Sequence, residues 1–167
     1  MLLVTSKLTS SIFELCLVTF QMEGQMVRIK NNYIKYILLF FVGGYAYCGI
    51  EILSRGYSHI SMLIAGGICF ILIGLLDEKS QDRMSFVSQM VVSSAIITGV
   101  EFITGLIVNV WLRLNVWNYS NQPYNILGQI CLLYVFIWFF LSPLAIIADD
   151  YLRYWLMGDE KPRYHFW

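Results

Sequence analysis

Two glutamates stand inside long apolar stretches of this chain, and the residues around them match. Glu51 lies in the sequence Gly-Ile-Glu-Ile-Leu-Ser, and Glu101 lies in the sequence Gly-Val-Glu-Phe-Ile-Thr. A carboxylate inside a membrane-spanning helix is costly, and such residues commonly mark sites for protons, ions or substrates. The pair therefore predicts an acidic site within the membrane.

The two glutamates differ in their nearest charged neighbours. Arg55 follows Glu51 by four residues, a spacing that favours a Glu–Arg contact on one helical face. Glu51 therefore has two readings, as a site residue or as the partner of Arg55 in a structural ion pair. Glu101 has no charged residue at this spacing, so of the two glutamates we expect Glu101 to be the stronger candidate for a site residue.

More polar and aromatic side chains follow each glutamate, where the apolar stretches give way to loops. We expect them to line an entrance that opens to the extracytoplasmic side. The predicted site residues are Glu51, Arg55, His59, Glu101, Asn109, Trp117, Asn118, Tyr119, Asn125 and Gln129. A plainer interpretation is an aromatic belt at the membrane interface, with the polar groups only holding the helices together.

Several kinds of chemistry find no support in the sequence. It contains no phosphate-binding P-loop, no G-x-S-x-G nucleophile motif and no H-E-x-x-H zinc motif. The cysteines form no C-x-x-C pair, and the two histidines fall on opposite predicted sides of the membrane. We expect no catalytic residues, no metal site and no cofactor.

Composition predicts the fold class. The chain is 58% hydrophobic and 13% charged, whereas a soluble domain carries about 25% charged residues. We predict an all-α membrane protein with four transmembrane helices, because four apolar runs approach the roughly 20 residues that a span needs. The runs are residues 33–53, 60–76, 86–112 and 124–147. The formal net charge is zero, which gives no reason to expect nucleic-acid binding.

The lysines and arginines predict the orientation. Nine of them lie before or at the start of the first run, between the second and third runs, or after the fourth, and only Arg55 and Arg113 fall on the other side. The positive-inside rule then places both termini in the cytoplasm of a multi-pass cell-membrane protein. We predict a cytoplasmic segment 1–30, a transmembrane domain 31–153 and a cytoplasmic tail 154–167. The first 25 residues do not resemble a signal peptide. They are either a short interfacial helix or an over-extended start, and we favour the second because Met26 is a more natural beginning.

The order of motifs suggests an internal repeat. Each glutamate frame is followed by a loop, a Gly-x-Ile-Cys motif and an acidic pair. The motif begins at Gly66 in the first copy, where it reads Gly-Gly-Ile-Cys, and at Gly128 in the second. The predicted topology makes the two hairpins parallel repeats, related by an axis along the membrane normal. Chance similarity between apolar segments remains the alternative.

Four ordered segments resemble the putative ABC-transporter type IV (CmpB-like) membrane protein family. The first segment is Glu51 with Ser54-Arg55-Gly56-Tyr57-Ser58-His59-Ile60-Ser61-Met62 and Gly66-Gly67, and the second is Ile97-Thr98-Gly99-Val100-Glu101-Phe102 with Gly105 and Asn109. The third is Trp117-Asn118-Tyr119-Ser120 with Pro123, Asn125 and Gly128-Gln129-Ile130-Cys131. The fourth is Gly158-Asp159-Glu160-Lys161-Pro162-Arg163-Tyr164. The resemblance covers about residues 36–165. The family usually has Asp where this chain has Asn118.

The resemblance implies a transporter permease component, and the glutamates fit that role as a site for a proton or a cationic substrate. Four spans are few for a pathway, so we expect a homo-oligomer in the lipid bilayer, with a separate ATPase subunit as a further partner. Two alternatives stay open. One is a non-transporting membrane scaffold or regulator, and the other is a lipid-modifying enzyme that acts at the outer leaflet through His59.

Overall fold

The computed structural model describes residues 32–80 and 84–166, with side chains described for residues 32–76 and 84–166. The predicted cytoplasmic segment 1–30 and its start site lie outside the described residues. The side chains of the acidic pair that ends the first predicted repeat, Asp77 and Glu78, also lie outside them.

The described chain is mostly helical, as predicted. It contains α1, Asn32–Arg55; α2, Ile60–Ser80; α3, Phe86–Gly105; and α4, Leu132–Leu152. Helix α3 continues as a π-helical segment, Leu106–Trp111, and α4 continues as a second one, Arg153–Met157. Helices α1, α3 and α4, the last two with their extensions, are long and apolar enough to cross a membrane. The apolar part of α2, Ile60–Leu76, is shorter, so the four-span count stays a prediction.

The fourth helix begins later than the apolar run that starts at residue 124 predicts. Residues Asn125–Ile126 and Ile130–Cys131 instead form two short antiparallel strands, β1 and β2. The Asn125 side chain accepts a hydrogen bond from the Gly128 amide, and Gly128 has a φ of 68°. Asparagine side chains that bond nearby backbone compete with helix formation, and here they give a turn. The second Gly-x-Ile-Cys motif thus lies in a hairpin, whereas the first lies within α2.

Local signals explain where other helices begin and end. Helix α3 starts at Phe86, as predicted, because the Ser85 hydroxyl accepts a hydrogen bond from the Ser88 amide as an N-cap. Helix α1 ends at Arg55, and Gly56 follows it with a φ of 82°. Glycine adopts this left-handed conformation without steric strain.

Helix α2 lies at the centre of the packing. It contacts α1, α3 and α4, while α3 also packs against α4. Large apolar side chains remain exposed on the outward faces of the helices, as a lipid environment requires. They include Ile37 and Phe41 on α1, Ile68 on α2, Ile103 on α3, and Phe140 and Leu144 on α4. We call the end where α1 and α3 finish the outer end, following the predicted orientation.

The contact between α1 and α2 is very close because glycines face each other there. A Cβ atom on Gly43 would lie 3.0 Å from the Gly66 carbonyl oxygen, and one on Gly66 would lie 3.1 Å from the Gly43 carbonyl oxygen. Each added Cβ would also collide with a side chain, that of Phe70 or Tyr47 respectively. Small residues permit this approach between helices in membranes.

The C-terminal segment packs back on the inner end. The Tyr164 hydroxyl donates to Asp150 Oδ2 at 2.8 Å, and the Phe86 amide donates to the His165 carbonyl at 2.7 Å. Lys35 Nζ lies 3.8 Å from Asp159 Oδ1. Residues 158–166 therefore connect the inner ends of α1, α3 and α4.

We predict that Gly66→Ala lowers the thermal stability of the purified protein in detergent, because the new methyl group separates α1 from α2. Overpacking of this kind costs about 1–3 kcal/mol. Gly49→Ala is the matched control, since a Cβ at Gly49 meets no atom within 4 Å, and its melting temperature should stay the same or rise slightly. Equal melting temperatures for the two variants would contradict the close contact.

Candidate functional site

Glu51 forms an ion pair with Arg55 at the outer end of α1. Arg55 Nη2 donates to Glu51 Oε1 at 2.6 Å, and the Ser58 hydroxyl donates to Glu51 Oε2 at 2.5 Å. The Arg55 guanidinium also lies 4.7 Å from the centre of the Tyr57 ring, in cation–π geometry. The four-residue spacing in the sequence therefore gave the correct pairing.

Glu101 is buried deeper, on the inward face of α3, with 3% of its surface exposed. Its two carboxylate oxygens accept hydrogen bonds from neutral donors. Trp138 Nε1 donates to Oε2 at 2.7 Å, and the Tyr119 hydroxyl donates to Oε1 at 3.1 Å. Burial, reinforced by the nearby Glu101 carboxylate, raises the pKa of the Tyr119 phenol, so this hydroxyl keeps the proton that it donates.

The fold brings the two glutamates into one electrostatic neighbourhood. Glu51 and Arg55 both lie within electrostatic range of the Glu101 carboxylate. We call Glu51, Arg55 and Glu101 the charged cluster. When both acids are ionised, the cluster holds two negative charges and one positive charge.

Residues 112–131, which we call the outer loop, fold over this cluster. The backbone of Val116 is bound on both sides, because its carbonyl accepts from Arg55 Nη1 at 3.0 Å and its amide donates to Asn109 Oδ1 at 2.7 Å. The Val116 and Trp117 side chains are buried against Met62 and Val108. Helices α1, α2 and α3 thus all help to anchor the loop.

Gln129 is the second anchor of the outer loop. Its Oε1 accepts from Asn109 Nδ2 at 2.9 Å, and its backbone carbonyl accepts from Trp117 Nε1 at the same distance. A Cβ atom on Gly105 would lie only 2.6 Å from Gln129 Oε1. Glycine at position 105 therefore allows the loop to pack directly on α3.

The structure divides the ten predicted site residues into three groups. Glu51, Arg55 and Glu101 form the charged cluster, with Tyr119 bonded to it. Asn109, Trp117 and Gln129 hold the outer loop in place. The remaining three bond within their own turns, where His59 Nδ1 lies 2.8 Å from the Ser61 hydroxyl, Asn118 Oδ1 accepts from the Ser120 amide, and Asn125 Nδ2 donates to the Gln122 carbonyl.

Sequence reasoning missed the aromatic residues that surround Glu101. Trp138 donates to its carboxylate, and the Trp138 ring stacks on Tyr47 with centroids 5.4 Å apart. Tyr134 lies beside Trp138 and stacks on Tyr119 at 4.5 Å. A signal was available, because a tryptophan N–H in the middle of an apolar helix needs a buried acceptor.

The inner half of the bundle holds a second charged pair that the sequence did not single out. Arg153 Nε donates to Asp149 Oδ2 at 2.6 Å, and Asp149 is fully buried against Gly74 of α2. The four-residue spacing of Asp149 and Arg153 matches that of Glu51 and Arg55. Arg153 therefore belongs to a buried ion pair as well as to the positively charged flank.

Metal binding gains no geometric support. Among the side chains at positions 32–76 and 84–166, no group of three or more His, Cys, Asp or Glu residues could hold a metal ion. Cys48, Cys69 and Cys131 are free thiols.

We predict that Arg55→Met destabilises the protein by about 1–3 kcal/mol, between the values for exposed and fully buried ion pairs. The change removes donors from Glu51 and from the Val116 carbonyl. Thermal unfolding in detergent measures the effect, with the exposed Arg163→Met as control. Glu51→Gln in the Arg55→Met background should recover part of the loss, and an unchanged melting temperature for Arg55→Met would contradict the structural pairing.

We predict that Asn109→Leu loosens the outer loop, because both the Val116 amide and Gln129 Oε1 lose their partner. Two lost hydrogen bonds of about 1 kcal/mol each correspond to at least about a tenfold increase in loop opening. Trypsin cleavage after the exposed Arg113 reports that opening. Asn121→Leu, at an exposed position in the same loop, should leave the cleavage rate unchanged, and equal rates for the two variants would refute the anchor.

The chain matches a known protein family. Residues 45–157 match the family described as Putative ABC-transporter type IV. No curated protein and no solved structure matches the chain. The matched region covers more than half of the sequence and includes the charged cluster, the outer loop and the aromatic residues around Glu101. The protein therefore belongs to the putative ABC-transporter type IV family, as its motifs indicated.

Proposed function

We propose that this membrane protein is a transporter subunit whose charged cluster opens to the extracytoplasmic side and binds a proton or a monovalent cationic substrate. The observation that carries the proposal is the charge balance of the cluster. The guanidinium of Arg55 pairs with Glu51, while Glu101 is bonded only to the neutral donors Trp138 and Tyr119, so the ionised cluster keeps one negative charge. A bound proton or monocation would neutralise it at low cost, because the protein already supplies the surrounding donors and aromatic rings.

The outer loop would act as the gate of this site. Tyr119 bonds to Glu101, and the Val116 carbonyl bonds to Arg55. Lifting the loop would therefore remove one contact from Glu101 and one from Arg55 together. Any change of charge on Glu101 would in turn alter the strength of the Tyr119 contact, which supports a coupling between ion binding and loop position.

The proposed topology has four spans with both termini in the cytoplasm. Its weakest member is α2, whose apolar part, Ile60–Leu76, has a length of about 25 Å. This length falls short of a hydrocarbon core of about 30 Å, so α2 would stand nearly upright or thin the bilayer locally. The two buried glutamates near the same end of the bundle agree with two similar parallel hairpins.

We also propose that the subunit works as a homo-oligomer with a separate ATPase. The family description supports an ABC-type partner, and the sequence carries no P-loop of its own. The C-terminal segment on the inner ends of α1, α3 and α4 offers a surface near the predicted cytoplasmic side.

A structural scaffold is the second candidate, and one observation favours it. Each glutamate accepts two hydrogen bonds from protein groups, as a purely structural carboxylate would. No observation in the described part of the chain favours the outer-leaflet enzyme, because His59 bonds to Ser61 within its own turn.

We predict that Glu101→Gln removes the ion response while the protein stays folded. Purified protein in liposomes, adsorbed on a solid-supported membrane, is exposed to jumps in proton or sodium concentration, and the charge displacement is recorded. The wild type should give a current with one of the two ions, and Glu101→Gln should reduce it about tenfold or more, because it removes a desolvated charge.

Glu160→Gln is the matched control, since it makes the same change at an exposed position of the C-terminal segment. Its current should equal that of the wild type. A Glu101→Gln variant with full current and a lowered melting temperature would favour the scaffold. The absence of any wild-type current would also contradict the ion site.

A further inference from the structure

An apolar cleft opens on the side of the bundle between α1 and α4. Helices α1 and α4 barely touch each other, and α2 forms the floor between them. The cleft has a volume of about 260 Å³, which is close to the lower size limit of small-molecule pockets. It is lined almost entirely by apolar atoms. Its lining includes Ala46 and Tyr47 of α1, Cys69 of α2, and Trp138 and Ala148 of α4.

One pair of aromatic rings separates the cleft from the charged cluster. Tyr47 and Trp138 both line the cleft and stack on each other. On their far side, Trp138 bonds to Glu101. A molecule in the cleft would thus lie one layer of side chains away from the Glu101 carboxylate.

The chemistry of this wall suits an organic cation. Aromatic faces attract ammonium groups through their quadrupole, most strongly when the cation is desolvated. Tyr134 and Tyr119 extend the aromatic row beyond Trp138 toward the outer loop. The single surplus negative charge of the cluster matches a single positive headgroup and would repel an anionic one.

We propose that the cleft binds an amphiphilic monocation, with its alkyl chain between α1 and α4 and its ammonium group at Tyr47 and Trp138. The proposal rests on the proposed function, because it names the class of cation that the charged cluster takes. The alkyl chain would enter from the lipid phase, since the cleft opens sideways between two apolar helices. Movement of the Tyr47 and Trp138 rings would bring the ammonium group to Glu101.

A second groove allows the effect of charge on binding to be separated from the hydrophobic effect. It lies between α2 and α3, has a volume of about 500 Å³, and is lined by Ile68, Leu72, Val100 and Ile103 among others. It is larger than the cleft but has no aromatic or charged residue in its lining. An alkyl chain alone should prefer the larger groove, whereas a cationic amphiphile should prefer the cleft.

The experiment uses the full chain in nanodiscs of a zwitterionic lipid and two photoreactive probes with the same alkyl chain. One is an alkyltrimethylammonium and the other an alkylcarboxylate, and peptide mass spectrometry locates the labelled residues. The cationic probe should label the cleft-lining parts of α1 and α4, and the anionic probe should label them about tenfold less, as one lost ionic or cation–π contact implies.

Three variants make the test specific to the cleft. Ala46→Trp fills the cleft from an exposed position and should abolish labelling, with Ala148→Leu as a second filler should the first fold poorly. Leu72→Trp fills the other groove and should leave labelling unchanged. Glu101→Gln should lower cation labelling about tenfold, because it removes the surplus charge.

Three outcomes would overturn this proposal, and one would overturn only the proposed function. Equal labelling by the two probes would show that the cleft binds any alkyl chain regardless of its headgroup charge. A change of oligomeric state in Ala46→Trp, with labelling unaffected, would show that a second copy covers the cleft. Selective labelling without ion-jump currents would support the binding site but contradict transport. Ion-jump currents without selective labelling would support the ion site but contradict this class of substrate.

Discussion

A carboxylate in the interior of an apolar helix bundle must obtain from the protein the hydrogen bonds that water would have given it. Glu101 obtains them from Tyr119 and Trp138. These donors come from the outer loop and from α4, so the positions of both segments depend on the acid. The buried face of α3, the placement of the loop and the aromatic row on α4 follow from this requirement.

The close contact between α1 and α2 has a consequence at a distance. Facing glycines allow α1 to pack closely on α2, so the bundle is closed along that side. Helix α4 packs on α2 and α3 instead, so a gap remains between α1 and α4. Tyr47, which packs over Gly66 at the close contact, also forms the wall of that gap. The tight seam and the open cleft are therefore two results of the same arrangement.

The sequence predicted local features well because they depend on spacing along one helix. The Glu51–Arg55 pair and the start of α3 at Phe86 are of this kind. Features that depend on tertiary contacts were missed. Trp138 looked like one apolar residue among many until the packing of α4 on α3 brought it to Glu101. The run from residue 124 looked helical, but the side-chain bonds of Asn125 favour a hairpin. The internal repeat, the ten site roles and the orientation stay predictions.

Glu101 has two donors on two different routes, and this constrains how a ligand could reach it. Opening the outer loop withdraws the Tyr119 hydroxyl, while turning the Trp138 ring toward the cleft withdraws the indole N–H. Either movement alone leaves one donor, but both together would leave an ionised buried carboxylate with neither, at a cost of about 1–3 kcal/mol or more for each lost bond. Under the proposed function, the geometry therefore favours opening one route at a time, and a cation bound at Glu101 would be the group that compensates for the lost donor.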